Sequence, residues 1–391
     1  MTRMNETSTL GAPIVSTRIG DMVLPDIETD IIGRHVDRYG EWAWNEVLFV
    51  ADQIGAGGRV LDAGAFVGTF GLGLASLKPV EFLCFIEANG QVSPRLRTNV
   101  ETLRQADDAI VEAILTDGSQ EAAPTGLSES GNLGSTSYAQ GATGDVVASE
   151  ALRTVTLAQI RALYGPFDLI KLDVEGLEAD VLRADEDFVR SGQSAIWLEC
   201  NESIASLQLA DMLLSWNLPV HYFAFPAFNP DNFRGAAEAI FPMAYESGLL
   251  VSPRNPPVLS PALVRAECIL KPVTSVEDLK RAMWLTPRWC LPSWERAPRP
   301  ELVALAAHEI CCDVYDRYLE AGWTRGEFLL TRTERAEHAF IEADAELLRH
   351  KNEIVALRDD LAQARAELAL LRLEMEAAPV VATPAVPPNA L

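Results

Sequence analysis

Asp62, Glu87, Asp117, Asp173 and Glu175 are the acids best placed for chemistry in this sequence, because each ends or closely follows a short apolar run. Val60-Leu61-Asp62-Ala63-Gly64-Ala65-Phe66-Val67-Gly68 sets a carboxylate ahead of two glycines, and Ile170-Lys171-Leu172-Asp173-Val174-Glu175-Gly176 repeats the plan with two carboxylates. A buried parallel strand reads as such a run, and open α/β sheets bind ligands just beyond the strands' carboxyl ends. No Gly-x-Gly-x-x-Gly can be drawn through the first run, so a pyrophosphate cradle is not indicated. A carboxylate at that point suits a cationic ligand with an amino-acid tail, and S-adenosylmethionine is such a ligand. Gly64, Phe66 and Gly68 would form the loop around it. Glu87 follows Glu81–Ile86 and can accept both ribose hydroxyls. Thr116 and Asp117 close the run 109–115, where Asp117 would meet the adenine edge.

If such a ligand gives up its methyl group, the acceptor must be aligned and any proton it loses must have somewhere to go. Asp173, first after its strand, is the leading base or orienting group. Glu175 shares the rim, and Glu199 and His221, from the following strands, are the reserve candidates. The acids Asp173, Glu175 and Glu199 could instead hold Mg²⁺, but nothing in their spacing favours a metal, and none is expected.

The elements that must position these groups follow from the pattern. Trp42 to Ile54 is apolar at helical spacing and stops at a glycine-rich turn, and strands are expected at 60–63, 81–86, 109–115, 169–172, 193–198 and 221–225. The quoted runs around Asp62 and Asp173, together with Phe85-Ile86-Glu87-Ala88-Asn89, resemble the FkbM family of S-adenosylmethionine-dependent methyltransferases over about residues 40 to 225. The resemblance implies a class I methyltransferase, Rossmann-like α/β fold: a seven-stranded, mostly parallel sheet with helices on both faces. It also implies O-methylation of polyketides, glycans or related metabolites. The family usually has Asn where this chain has Phe66, a departure that bears on cofactor affinity and on the order of that loop.

The chain has 391 residues with 48% hydrophobic content and a net charge of −24, from 32 basic against 56 acidic residues. That is enough for one large domain and an appendage. The acidity and the lack of a basic cluster exclude nucleic acid as the expected partner, since its phosphates demand Lys and Arg. Six cysteines without Cys-x-x-Cys spacing read as reduced thiols. No apolar run is long enough to span a membrane and no secretory leader is visible, so a cytoplasmic location is expected. The expected divisions are a loose arm at 1–20, a methyltransferase domain at 21–275, a helical and Pro-rich connector at 276–330, a coiled coil at 331–376 and a disordered tail at 377–391. Residues 118–150, rich in Gly, Ser, Thr and Ala, read as a substrate lid. Residues 226–235 combine aromatics and amides that suit sugar recognition or, equally, an internal loop.

Near the C-terminus, Phe340, Leu347, Ile354, Leu361, Leu368 and Met375 recur every seven residues, with Ala343, His350, Leu357, Ala364 and Leu371 three further on. These are heptad a and d positions. Position g is acidic throughout (Glu346, Glu353, Asp360, Glu367, Glu374), and position e is basic from the second repeat (Lys351, Arg358, Arg365, Arg372). Parallel pairing sets g against e of opposite sign, whereas antiparallel pairing sets like against like. A parallel homo-oligomer through residues 340–375 is therefore expected. The resulting expectation is an O-methyltransferase acting on a glycan or related small-molecule hydroxyl. The alternative is a catalytically degenerate methyltransferase-fold scaffold held by the coil.

Overall fold

The computed structural model describes residues 11–286 apart from 26, 28, 29, 105, 120, 121, 127–136, 141–152, 240–244, 254 and 255, with 122–126 and 137–140 as backbone. The chain opens with β1 (Ile14–Thr17) and β2 (Gly20–Val23), an antiparallel hairpin, followed by α1 (Ile31–Tyr39) and α2 (Trp44–Ala51). The first wing of the sheet is β3 (Gly58–Ala63), α3 (Thr69–Leu77), β4 (Val80–Ile86), α4 (Ser93–Leu103) and β5 (Ala109–Val111). Short pairings come next: β6 (Ile114–Leu115), β7 (Ala122–Gly126), β8 (Ser137–Gln140) and β9 (Thr154–Val155). The second wing runs α5 (Leu157–Tyr164), β10 (Leu169–Leu172), α6 (Glu178–Ala184), α7 (Glu186–Arg190), β11 (Ala195–Glu199), α8 (Ile204–Ser215) and β12 (Val220–Pro226). It closes with β13 (Tyr245–Val251), α9 (Pro261–Arg265), β14 (Ile269–Val273) and α10 (Val276–Trp284).

The main sheet has the order β14-β12-β13-β11-β10-β3-β4-β5. From β11 to β5 the neighbours are parallel, and from β11 to β14 they are antiparallel. Successive strand residues go to opposite faces, which splits the core in two. Leu61, Ala63, Ile170, Leu172, Ile196 and Leu198 pack on the side of Leu157, Val181 and Leu209. Val60, Leu83, Phe85, Leu169, Trp197 and Phe223 pack on the side of Val47, Phe49, Leu74 and Leu96. Helices therefore cover both faces. The strand order reverses between β3 and β10, whose carboxyl ends open the crevice such sheets use for ligands.

Four differences from expectation have physical causes. The sheet has eight strands in place of seven. The eighth, β14, lies at an edge, the one place where a strand tolerates a proline such as Pro272, and Lys271-Pro272 hides it in the sequence. The run 109–115 is not one strand: it bends at Glu112 and Ala113, and β6 leaves the main sheet to pair with β9. The expected arm at 1–20 contains β1, whose Val15 and Thr17 are buried. The expected boundary at 275 cuts through packed structure, since Leu279, Ala282 and Met283 of α10 share a cluster with Tyr222 and Val273. The Tyr222 hydroxyl donates to Thr286 Oγ1 at 2.9 Å. Local signals match the helix starts: Ser275 caps α10 and Ser203 caps α8, each accepting from a backbone N–H three residues on. The expected lid at 118–150 lies largely outside the described residues, its described backbone including the β7–β8 pairing. The heptad segment at 340–375 lies wholly outside them. No described helix is long and apolar enough to cross a membrane.

Candidate active site

One cleft opens at the carboxyl ends of β3, β4 and β10. The residues lining it include Glu46, Gly64, Phe66, Glu87, Lys171, Asp173 and Glu175, with Trp42, Phe70, Ile114 and Leu115 among the apolar ones.

Its floor is two loops in contact. Gly64 has φ +77°, and a Cβ there would drive into the carbonyl oxygen of Asp173. The Asp173 N–H in turn donates to Ala63 O at 3.0 Å. Gly64 and Ala65 both donate to Ile86 O, at 3.0 and 3.1 Å. Glu87 locks the third side: Oε2 accepts from Phe66 N at 2.8 Å and Oε1 from Asn89 N at 2.7 Å. Phe66 is held at φ +51° and Glu175 at φ +55°, a region that bulky side chains seldom occupy. Two of the strained residues thus face the cleft, where such strain concentrates. Glu178 braces the second loop, its Oε1 accepting from Val174 N at 3.0 Å and Gly176 N at 3.3 Å.

Beneath the rim lies a row of polar side chains on one sheet face. Asp62 pairs in register with Lys171, and Lys171 with Trp197. Lys171 Nζ is 2.8 Å from Asp173 Oδ2 and 3.9 Å from Asp62 Oδ1. From α2 above, Glu46 Oε1 accepts from the Trp197 indole N–H at 2.6 Å. Gly248 on β13 leaves room for that indole, since a Cβ there would strike the ring. Burial works against the Lys171 ammonium, but Asp173, Asp62 and Glu46 outweigh it and its pKa is raised. Burial pushes Glu46 up to about 7 against the opposing pull of Lys171 and Trp197, and pushes Glu87 up to about 7 against its two backbone donors. Burial, then Asp173 and Glu178, lift Glu175 to about 8.

Of the residues singled out by sequence, Gly64, Phe66, Glu87, Asp173 and Glu175 come together in the cleft. Asp62 is fully buried behind it, accepting from Gly71 N at 3.0 Å. Gly68, Thr116 and Asp117 are not among the lining residues. Thr116 is buried, and Asp117 accepts from the Ser119 N–H at 2.8 Å. Glu199 stands among Asp173, Glu175 and Glu178, its pKa raised by burial and then by those charges, but it does not line the cleft. Nor does His221, whose pKa burial lowers. No three described His, Cys, Asp or Glu residues group as a metal site. In the 226–235 loop, Asn229 donates to Glu41 Oε1 at 2.8 Å and Asn232 to Ala236 O at 2.7 Å, so those amides serve the loop itself.

Glu46 and Lys171 were not singled out. The available signal was one charge inside a largely apolar element: Lys171 between Leu169-Ile170 and Leu172, Glu46 within Trp44–Ala51, where Asn45 is the other polar residue. A buried charge demands a partner.

A Rossmann-like sheet with an acid-rimmed crevice at the carboxyl ends of its strands is the form of a nucleotide-cofactor site. Residues 32–216 match the model of the methyltransferase FkbM domain. Its methyl donor is S-adenosylmethionine. The chain is similar to the FkbM methyltransferase of Methylobacillus flagellatus KT at 14% identity, over 54% of this chain and 48% of that one, with a TM-score of 0.35. It is similar to the precorrin-6y C5,15-methyltransferase of Geobacter metallireducens GS-15 at 12% identity, over 53% and 86%, with a TM-score of 0.32. A third solved structure, the Pyrococcus abyssi tRNA (uracil-54, C5)-methyltransferase in complex with S-adenosyl-L-homocysteine, is 18% identical over 43% and 29%, with a TM-score of 0.26. Among curated proteins, none matches this chain.

The residues present fit the cofactor. Among the described residues, Lys171 is the one basic residue lining the cleft, and it is paired with Asp173. The lining therefore favours a cation over a pyrophosphate. The Gly64 backbone leaves room for close approach, and Glu87 keeps lone pairs for a diol beyond its two backbone bonds.

Proposed function

We propose that this chain is an O-methyltransferase that moves a methyl group from S-adenosylmethionine to a hydroxyl of a glycan or related small metabolite. The observation that carries the reading is the cleft in which the loops after β3, β4 and β10 converge, with four carboxylates and a single, already neutralised ammonium. S-adenosylmethionine supplies an activated methyl group on a sulfonium. On this reading the backbone at Gly64–Phe66 and the carboxylate of Glu87 hold its polar parts. Ala113, Ile114 and Leu115 offer an apolar wall for the base. Asp173, 37% exposed at its side chain and anchored by Lys171, orients the acceptor hydroxyl. Glu175 borders the same opening.

The acidic rim supports an uncharged or cationic acceptor over a polyphosphate, which it would repel. A parallel homo-oligomer through 340–375 completes the proposal. Several linked active sites would raise the effective concentration of a repeated acceptor such as a glycan. Calorimetric titration with S-adenosylhomocysteine, with Glu87→Ala as control, tests the cofactor half. A screen of p-nitrophenyl glycosides for a methyl-sized mass gain tests the acceptor half. Binding abolished by the substitution, plus a methylated hydroxyl, supports the reading. No binding by the unmodified protein would leave a methyltransferase-fold scaffold.

A further inference from the structure

Four carboxylates line the cleft, and three are already committed or unplaced. Glu87 spends one bond from each oxygen on Phe66 N and Asn89 N. Asp173 is ion-paired with Lys171 at 2.8 Å, so its Oδ2 is already engaged. Glu175 has no hydrogen bond to fix it among the described residues and stands among the like charges of Asp173, Glu178 and Glu246. Glu46 differs from all three. A neutral donor, the Trp197 indole, fixes its Oε1 at 2.6 Å, and Oε2 accepts no hydrogen bond among the described residues. A carboxylate held at one oxygen and open at the other, on the wall of a reaction cleft, is the arrangement a general base needs.

We propose that Glu46 receives the acceptor's proton, with Trp197 as the positioning residue that holds it. This rests on the O-methyl transfer reading above. The acceptor oxygen forms its bond to the methyl carbon as the carbon–sulfur bond breaks and its electron pair stays on sulfur. The hydroxyl proton passes to Glu46 Oε2. A sulfonium and a carboxylate, one positive and one negative charge, become a neutral thioether and a neutral acid. The net charge of the buried row is therefore the same before and after the step, and no uncompensated charge is created where solvent is scarce.

The charged groups facing Glu46 are few. Lys171 and Asp173 come from β10 and the loop after it, and Asp62 from β3. The helix α3 that packs on α2 carries no charged residue. The charged residue of α9, Arg265, pairs with Asp231, and β12 contributes His221. A cation bound in the cleft would thus act on Glu46 alongside Lys171, and on Glu87 and Glu175, which line the same cleft. Binding of the positively charged S-adenosylmethionine should expel a proton from Glu46 near neutral pH, and binding of neutral S-adenosylhomocysteine should not.

The test is calorimetry of both ligands near pH 7 in buffers of different ionisation enthalpy, for the full chain and for Glu46→Gln and Trp197→Phe. The expected result is greater proton release with S-adenosylmethionine than with S-adenosylhomocysteine. Glu46→Gln should diminish that difference, the remainder coming from Glu87 and Glu175 in the same cleft. Trp197→Phe should shift the pH at which the release is greatest. Methyl transfer to a hydroxyl, where the glycoside screen yields one, should fall about 10²- to 10⁴-fold in Glu46→Gln and recover in part in Glu46→Asp. An undiminished difference in proton release in Glu46→Gln, or its unchanged turnover, overturns the assignment and leaves O-methylation standing. If the unmodified protein binds the donor but methylates no hydroxyl, the O-methylation reading fails instead, and the proton-release comparison still decides whether Glu46 is the linked group.

Discussion

Gly64 and Asp173, 109 positions apart in the sequence, meet backbone to backbone: a Cβ on the glycine would overlap the aspartate's carbonyl oxygen. That contact closes the floor of the cleft between the two central parallel strands. Gly64→Ala should fail twice, because φ +77° is strained for alanine and the loops would be pushed apart. Left-handed strain costs about 1–2 kcal/mol and overpacking about 1–3. Urea denaturation should register a loss of a few kcal/mol, and titration should register loss of S-adenosylhomocysteine binding. Retained binding would mean the loops separate without consequence.

Lys171 is the hub of the buried row, near Asp62 and Asp173 and within electrostatic reach of Glu46. Lys171→Met removes the counter-charge and leaves buried carboxylates uncompensated, at a cost of about 3–5 kcal/mol. Adding Glu46→Gln should recover part of that loss, because one of the stranded charges is gone. A double variant no more stable than the single one would show that the two residues are not coupled.

Phe66 occupies a left-handed conformation while its N–H bonds to Glu87. Phe66→Asn keeps the N–H and introduces a residue that tolerates that conformation, so cofactor affinity should hold or rise. Phe66→Pro removes the N–H and fixes φ near −65°, so affinity should collapse. Equal affinities for the two variants would separate the loop from the cofactor.

Burial pushes the carboxyls of Glu46, Glu87 and Glu175 up to about 7, 7 and 8, above the ordinary carboxylate range. A raised value means that the folded state holds protons the unfolded state has released. Their stabilising contribution is complete below the unfolded value and is lost as pH rises through the folded values. The unfolding free energy of the ligand-free protein should therefore fall between about pH 5 and 8, by up to about 1.4 kcal/mol per pH unit for each group, and the urea midpoint should fall with it. Glu46→Gln should flatten the slope. A midpoint that climbs across this window would contradict the burial of these acids.

For the proposed coil, Leu361→Lys places a charge at a heptad a position. Sedimentation should find an oligomer for the full chain and a monomer for the variant, with S-adenosylhomocysteine binding unchanged. Equal masses for the two would remove the coil from the account.

Residues 58–63, 80–86, 169–172 and 195–199 form strands where the sequence placed apolar runs, and their rim acids Glu87, Asp173 and Glu175 converge as their positions implied. These features are local. An apolar run specifies a buried parallel strand, and the residue just past its end must emerge on the ligand-binding rim. Helix α10 falls at the start of the segment expected as a helical connector. What needed the tertiary structure was every pairing across distance. Only packing decides that Glu46, 151 residues from Trp197, reaches its indole, or that Lys171 stands between Asp62 and Trp197 in register. Only packing turns 114–115 out of the sheet and takes Asp117 out of the cleft lining, because a two-residue bend leaves the apolar pattern intact while changing the strand's partner. The sequence determined which chemical groups arrive at the rim. The fold determined which of them share a proton and a counter-charge, because those interactions depend on distances of a few ångströms between elements that no local pattern encodes.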